Sequence, residues 1–330
     1  MAQPETLKTK PAARNGATKK NGVKAPLKPK EWIGSIHHAP VPMCVPTGLV
    51  SCVSEIEAHF QKPVWLLVQT RTARVDGPGP FESLDEHVWQ AIYKHKGLLP
   101  RSGIVLLLES PGGQARIAYR IARLLNETCG EVITLIPRWS KSAATLLALG
   151  TDRVIVSGLG ELGPLDAQLT DTEREEVTSS LDDYQALQRL MARGLEAVDE
   201  AMYMLLSRTG KKVETLLPMT MHFIADMMKP LMEKFDVVHY SQMARIMKVA
   251  EEYLSRLLAE RYGAEPAKKI ARALVENYPE HQFVIDPAEA SSLGLTHVEA
   301  ADSTVMAIMD RIAYELDHYV VIGPLKEYTS

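Results

Sequence analysis

The sequence predicts an α/β fold with a helical C-terminal part, and two observations carry that expectation. Short apolar runs of strand length (Val64 to Thr70, Ile104 to Leu108, Val132 to Ile136, Arg153 to Val156) alternate with stretches of helical spacing. Beyond Thr170 the strand-like runs give way to long helical patterns. Strand, helix, strand order implies a parallel sheet joined by right-handed crossovers.

Residues 1–30 carry eight Lys/Arg and one Glu with almost no large apolar side chain. That composition buries nothing and predicts a disordered, solubilising tail. No aromatic is interleaved with its charges, so specific nucleic-acid binding is not expected. The whole chain of 330 residues has a net charge of −4; the tail contributes +7, which leaves −11 on the body. Glu31 to Gly48 holds three prolines and reads as irregular. Its His37-His38 pair lacks a completing carboxylate or cysteine pattern, so no metal site is expected. Ser54 to Gln61 reads as a short helix, and Asp76-Gly77-Pro78-Gly79-Pro80 as a loop. Ser83-Leu84-Asp85-Glu86 resembles an N-cap with an acidic first turn, opening a helix to about Lys96.

Two strand-to-helix corners follow in succession. After Ile104-Val105-Leu106-Leu107-Leu108 comes Glu109-Ser110-Pro111-Gly112-Gly113, then a helix over about 114–127 with Ile117, Ile121, Leu124 and Leu125 at helical spacing. After Val132 to Ile136 comes Pro137-Arg138-Trp139-Ser140-Lys141-Ser142, then the small-residue helix of Ala143, Ala144, Thr145 and Leu146. A Gly-Gly corner bares backbone N–H groups that can face an oxyanion. A serine opening the next helix supplies a hydroxyl in a positive local field, and the following N–H is a second donor. Nucleophile and oxyanion donors together suit acyl transfer. The first corner has neither a G-x-G-x-x-G pattern nor a GK[ST] ending, so it is not a phosphate loop, and no cofactor is expected.

Ser110-Pro111-Gly112-Gly113, Lys141-Ser142-Ala143-Ala144-Thr145 and Leu162-Gly163-Pro164-Leu165-Asp166 resemble the serine dehydrogenase proteinase family. That family is related to signal peptide peptidase A and to the proteolytic subunit of the Clp protease. The resemblance spans roughly 64–298. It implies the ClpP/crotonase-like fold, a spiral of ββα units, with the nucleophile at Ser142 and the oxyanion hole at Gly112, Gly113 and Ala143. Such relatives usually carry glycine where this chain has Ala143. The segment Pro279 to Ala290, followed by Leu293-Gly294-Leu295, resembles their closing segment, a short helix and a final strand.

The base that serves Ser142 is open among three readings. Lys141 is adjacent, and neighbouring helix side chains diverge. Lys211 and Lys212 follow a long helix, as a lysine does in signal peptide peptidase A. His281 is the third. In the Clp subunit the catalytic histidine lies on the segment that reads Leu165-Asp166-Ala167-Gln168 here, and the aspartate lies in the closing segment. Asp166 and His281 stand in exchanged places, so a Ser142–His281–Asp166 triad is one reading, since triads are defined by geometry. A Ser–Lys dyad and a silent site are the others.

Helices are expected over about 182–209, 213–235, 241–262 and 265–277, an insertion within a peptidase domain of residues 31–300. Ten of the fourteen methionines lie between Met191 and Met247, and are expected to fill the core between these helices. Residues 301–330 read as a C-terminal helix. Cys44, Cys52 and Cys129 form neither a metal spacing nor an even disulfide set, which favours a reducing, cytoplasmic setting. No apolar run reaches the ~18–20 residues of a spanning helix. The expected function is an ATP-independent serine endopeptidase acting on peptides or proteins as a homo-oligomer. The rivals are a crotonase-like thioester enzyme that needs no serine, and a catalytically silent oligomeric scaffold.

Overall fold

In the computed structural model the chain builds a seven-stranded sheet with helices on both faces. The structure describes residues 30–39, 44–70, 79–165, 168–171 and 176–328. The basic tail up to residue 29, Asp76-Gly77-Pro78 and Asp166 lie outside them.

The order of elements is β1 (Trp32–Gly34), β2 (His37–Ala39), α1 (Thr47–Phe60), β3 (Val64–Gln69) and α2 (Glu86–Lys94). Then come β4 (Ile104–Glu109), α3 (Ala115–Thr128), β5 (Val132–Ile136), β6 (Trp139–Ser140), α4 (Ala143–Leu149), β7 (Arg153–Val156) and β8 (Glu161–Leu162). A hairpin of β9 (Gln168–Asp171) and β10 (Glu176–Ser179) leads into α5 (Ser180–Thr209), α6 (Val213–Met232), α7 (Val237–Tyr262) and α8 (Ala264–Glu276). The chain finishes with α9 (Pro287–Ser292), β11 (Val298–Ala300), α10 (Ser303–Glu315), β12 (Val320–Gly323) and β13 (Leu325–Glu327).

The large sheet runs β11-β7-β5-β4-β3-β12-β2. The first five strands are mutually parallel, and the central β5, β4 and β3 are near-continuous apolar runs because both faces are covered. One face packs on α2, α3, α4, α7 and α8, the other on α1 and α10. β12 runs antiparallel to both β3 and β2, so the sheet is mixed rather than wholly parallel.

Three expectations are corrected by this arrangement. The stretch 31–48, read as irregular, holds β1 and β2, which pair with the remote β13 and β12. The helix expected over 301–330 is confined to α10; Val320, Val321 and Ile322 are buried inside the sheet. The methionines do not mainly fill a core. Met202, Met243 and Met247 are buried, but Met191, Met204, Met219, Met221, Met227 and Met232 are exposed. The physical reason is layering: α6 packs on α5, α5 on α7, and α7 in turn on α3, α4 and α8. The outermost helices therefore have one covered face. At α2 the cap is Asp85, whose carboxylate accepts the Val88 N–H at 2.9 Å, two residues after the serine expected to lead the helix. α1 also starts earlier, at Thr47.

α4 is buried along its whole length, which fixes its two ends. At the C-terminal end His297 Nε2 lies 3.1 Å from the Leu149 carbonyl and Nδ1 lies 2.6 Å from the Tyr262 hydroxyl. A carbonyl only accepts, so Nε2–H donates to it and Nδ1 accepts from the tyrosine. Burial, with Arg261 nearby, lowers the His297 pKa to about 4.

Two outcomes follow. Ending the chain after Asp317 removes β12, whose three buried side chains are worth roughly 1.5–3 kcal/mol each against a total stability of about 5–15 kcal/mol. The truncated protein is expected to lose its cooperative thermal transition by circular dichroism, and a native-like transition would contradict the sheet order. For His297 the unfolded chain takes up a proton near pH 6.5 and the folded one near 4. The unfolded state thus binds more protons between these values, and stability falls as pH drops from 6.5 towards 4. The loss is on the order of 3 kcal/mol. His297→Gln should flatten that slope in urea titrations at pH 4.5 and 7; an unchanged slope would show that His297 is not its source.

Candidate active site

The two corners lie at the C-terminal ends of β4 and β5, where open α/β sheets place their ligand crevices. Gly112 and Gly113 have φ of +100° and +138°, a region that disfavours any side chain. Space demands glycine at 112 as well. A Cβ there would lie 2.5 Å from the Lys141 carbonyl oxygen, 2.9 Å from Ser142 Cβ and 3.1 Å from the Ala143 nitrogen. The first corner is pressed directly onto the second.

The positive φ values mark a change of pairing partner. Ser110 bridges Ser140, through Ser110 N–H to the Trp139 carbonyl at 3.3 Å and Lys141 N–H to the Ser110 carbonyl at 3.1 Å. Two residues on, the partner is Leu84: its N–H donates to the Gly112 carbonyl at 2.7 Å, and its carbonyl accepts from Gln114 N–H at 2.9 Å. Gly112 and Gln114 thus serve the Leu84 edge. The Gly113 N–H has no acceptor among the described residues, and neither does that of Ala143. The Gly112 amide differs. It donates to Ser110 Oγ at 3.1 Å, so of the three expected oxyanion donors this one is already engaged.

A buried relay stands behind that amide. Ser110 Oγ donates to Gln69 Oε1 at 2.6 Å, and Gln69 Nε2 donates to the Phe81 carbonyl at 2.7 Å. Ser110 and Gln69 are both fully enclosed. On the opposite face of the sheet, Arg138 Nε donates to Glu109 Oε1 at 2.7 Å and its Nη1 to Asp317 at 2.6 Å. This ties the end of β4 to the residue before β6. Burial pushes the Glu109 carboxyl up to about 7, with Arg138 pulling the other way.

Ser142 is the N-cap residue of α4, with φ +50° and ψ −122°. A non-glycine residue in that region stores on the order of 1–3 kcal/mol of strain. Its side chain makes no capping hydrogen bond to the helix. The surroundings hold it: Thr145 Oγ1 donates to the Ser140 carbonyl at 2.7 Å and accepts the Gly163 N–H at 3.1 Å.

Lys141 is buried, its Nζ 2.8 Å from Glu161 Oε1. His281 is half-buried in the turn between α8 and α9, which the Phe283 N–H closes onto the Glu280 carbonyl at 3.2 Å. Lys211 and Lys212 are exposed in the turn between α5 and α6, on the outer helices rather than in the layer that holds α4. The structure thus brings together Gly112, Gly113, Ser142 and Ala143, and lays the His281 segment beside Lys141; Asp166 is outside the described residues. Gln69 and Leu84, which shape the corner, escaped the sequence reading. A glutamine ending a five-residue apolar strand was the one available signal for the relay.

Residues 85–234 match the family model of the ClpP-like SDH-type serine proteinases. Two proteins of Methanocaldococcus jannaschii are similar to this chain. The uncharacterized protein MJ0137 is 24% identical over 192 residues, which are 58% of this chain and 52% of that protein. The uncharacterized protein MJ1495 is 27% identical over 194 residues, 58% of this chain and 51% of that protein. The chain therefore spans about half the length of these relatives. No helix among the described residues is long and apolar enough to cross a membrane. The matched stretch contains both corners, Ser142 and the whole of α4, so over these residues the chain is similar to the ClpP-like SDH-type serine proteinases.

Proposed function

We propose that this protein is an ATP-independent serine endopeptidase that cleaves peptide bonds through an acyl-enzyme on Ser142. The observation that carries the reading is the strained Ser142, set at the start of a buried helix and pressed against a glycine corner. Strain of this kind persists where the surroundings over-determine it, and it clusters at reactive residues. In the mechanism, Ser142 Oγ attacks the scissile carbonyl carbon as its proton passes to the base. The Gly113 and Ala143 N–H groups receive the oxyanion, and neither has another acceptor among the described residues. Collapse expels the amine, which takes the proton from the base, and water then clears the ester by the same route in reverse.

We assign the base to His281, with Asp166 orienting it, in preference to Lys212. The segment that carries His281 meets the Lys141 ammonium through the Phe283 carbonyl at 3.5 Å, whereas Lys212 is exposed in the turn between α5 and α6. The substrate strand would pair with the Gly113 edge, since Leu84 occupies the other. The ββα spiral belongs to the same reading. It is supported by the short second strands that follow β4, β5 and β7: the Ser110–Ser140 bridge and the β6–β8 pair. So does a homo-oligomer, supported by Leu195, Tyr203, Met219, Phe223 and Met227 exposed on α5 and α6. Three free cysteines fit a reducing cytoplasm. A crotonase-like thioester enzyme would use the glycine corner but gives no reason for strain at Ser142.

A fluorophosphonate probe is expected to label Ser142, and Ser142→Ala to abolish labelling while the assembly seen by light scattering persists. His281→Ala should slow labelling by about 10²–10⁴-fold, and Asp166→Asn by less. Absence of labelling throughout about pH 6–9, which covers histidine titration, would replace this reading with the silent scaffold or the crotonase-like thioester enzyme. The relay makes a second outcome. Gln69→Leu and Ser110→Ala should each cost about 1–3 kcal/mol of stability, because a buried polar partner is left unsatisfied, and should slow labelling further. Their effects in the double variant should not add, since both cut one chain of hydrogen bonds; additive losses would count against the relay.

A further inference from the structure

We propose, relying on the peptidase reading for the catalytic consequence, that Lys141 is a positioning residue whose ammonium clamps the His281 segment onto the Ser142 corner. Lys141 immediately precedes Ser142, and its side chain is only 8% exposed. A buried ammonium needs partners for its three N–H groups. Here they come from two separate stretches of chain. Glu161 Oε1 lies 2.8 Å from Nζ, and the carbonyls of Leu162 and Phe283 each lie 3.5 Å away. Glu161 and Leu162 form β8; Phe283 belongs to the closing segment between α8 and α9.

The path of the side chain is built for this reach. A Cβ at residue 163 would lie 2.6 Å from Lys141 Cδ, so the lysine stem occupies the space a side chain at Gly163 would need. Beyond the ammonium, Leu162 and Ile285 exchange two backbone hydrogen bonds of 3.0 Å. Phe283 stands two residues before Ile285 and two after His281, which is the second residue of the Glu280–Phe283 turn. One tight turn therefore separates the clamped carbonyl from the imidazole. The same segment is also held by the Leu162–Ile285 pair, by Ile285 buried in the core, and by the packing of Phe283 on Tyr278, with ring centroids 4.8 Å apart. The ion pair with Glu161 also explains why the lysine nearest Ser142 is not its base: its ammonium is committed elsewhere.

The test uses the full chain with Lys141→Met, which keeps the stem and removes the charge, and Glu161→Gln, which keeps the shape and weakens the pair. Hydrogen exchange at the Ile285 amide reads the clamp directly and needs no activity. Exchange should speed up by about tenfold or more in Lys141→Met, as the local opening becomes easier. Fluorophosphonate labelling of Ser142 should slow by about 10²-fold, the cost of roughly 1 Å of misplacement. Its dependence on pH should flatten, because the titrating base no longer meets the hydroxyl. The double variant should be no worse than Lys141→Met alone. Unchanged Ile285 exchange in Lys141→Met overturns the clamp. Faster exchange with unchanged labelling overturns the positioning role. If the wild type is not labelled, the peptidase reading fails while the exchange measurement still decides the clamp. If Lys141→Met does not fold, Glu161→Gln carries the same comparisons with smaller expected effects.

Discussion

The site depends on a close approach that only glycine permits. Gly112 leaves no room between its Cα and the Lys141–Ser142 backbone, and any Cβ would meet the Lys141 carbonyl at 2.5 Å. The close approach itself therefore depends on the lack of a side chain at residue 112. The contact is held directly, by the Ser110 backbone bonds to Trp139 and Lys141 and by the Glu109–Arg138 pair, and from further away by α4. Every residue of α4 is buried, Thr145 ties the start of that helix to Ser140 and Gly163, and His297 holds its far end. This burial offsets the strain at Ser142, on the order of 1–3 kcal/mol. A looser helix would let the serine relax into an ordinary capping geometry.

Polar groups at the corner are divided by edge. The Leu84 side takes up the Gly112 carbonyl and the Gln114 amide, and the Ser110–Gln69 relay takes up the Gly112 amide. Among the described residues no acceptor meets the donors of Gly113 and Ala143, which sit on two different corners. Behind them the Glu109–Arg138 pair joins the same two corners through the opposite face of the sheet. Preorganised donors act without reorganising at the moment of reaction, which is where such sites gain most of their effect.

Much of this was legible from residues alone. The strands at 104–109, 132–136 and 153–156 could be read because central parallel strands are continuous apolar runs with few competing interpretations. The long helices could be read from their spacing. β1, β2, β12 and β13 could not, because each has three or four residues and exists only through pairing with a strand more than 200 positions away. The exposed methionines defeated the expectation of a core because periodicity shows that a helix has an apolar face, not what covers it. At the site, Ser142 and the glycines carried a local signature. The Gln69 relay and the Lys141–Glu161 pair are tertiary facts, and adjacency to Ser142 drew attention away from where the Lys141 side chain ends.

The place of β12 governs the order in which this molecule can be made. β3 is synthesised early, yet the neighbour on one of its edges, Val320–Gly323, emerges about 250 residues later. β2 waits for the same strand. Until then a six-residue strand, apolar in its first five residues, presents an unpaired edge, a template for pairing with another chain. Such long-range closure slows folding and lengthens exposure to aggregation. For this chain the hazardous interval is the ribosomal transit from β3 to β12, and it ends only when the last strand of the sheet arrives.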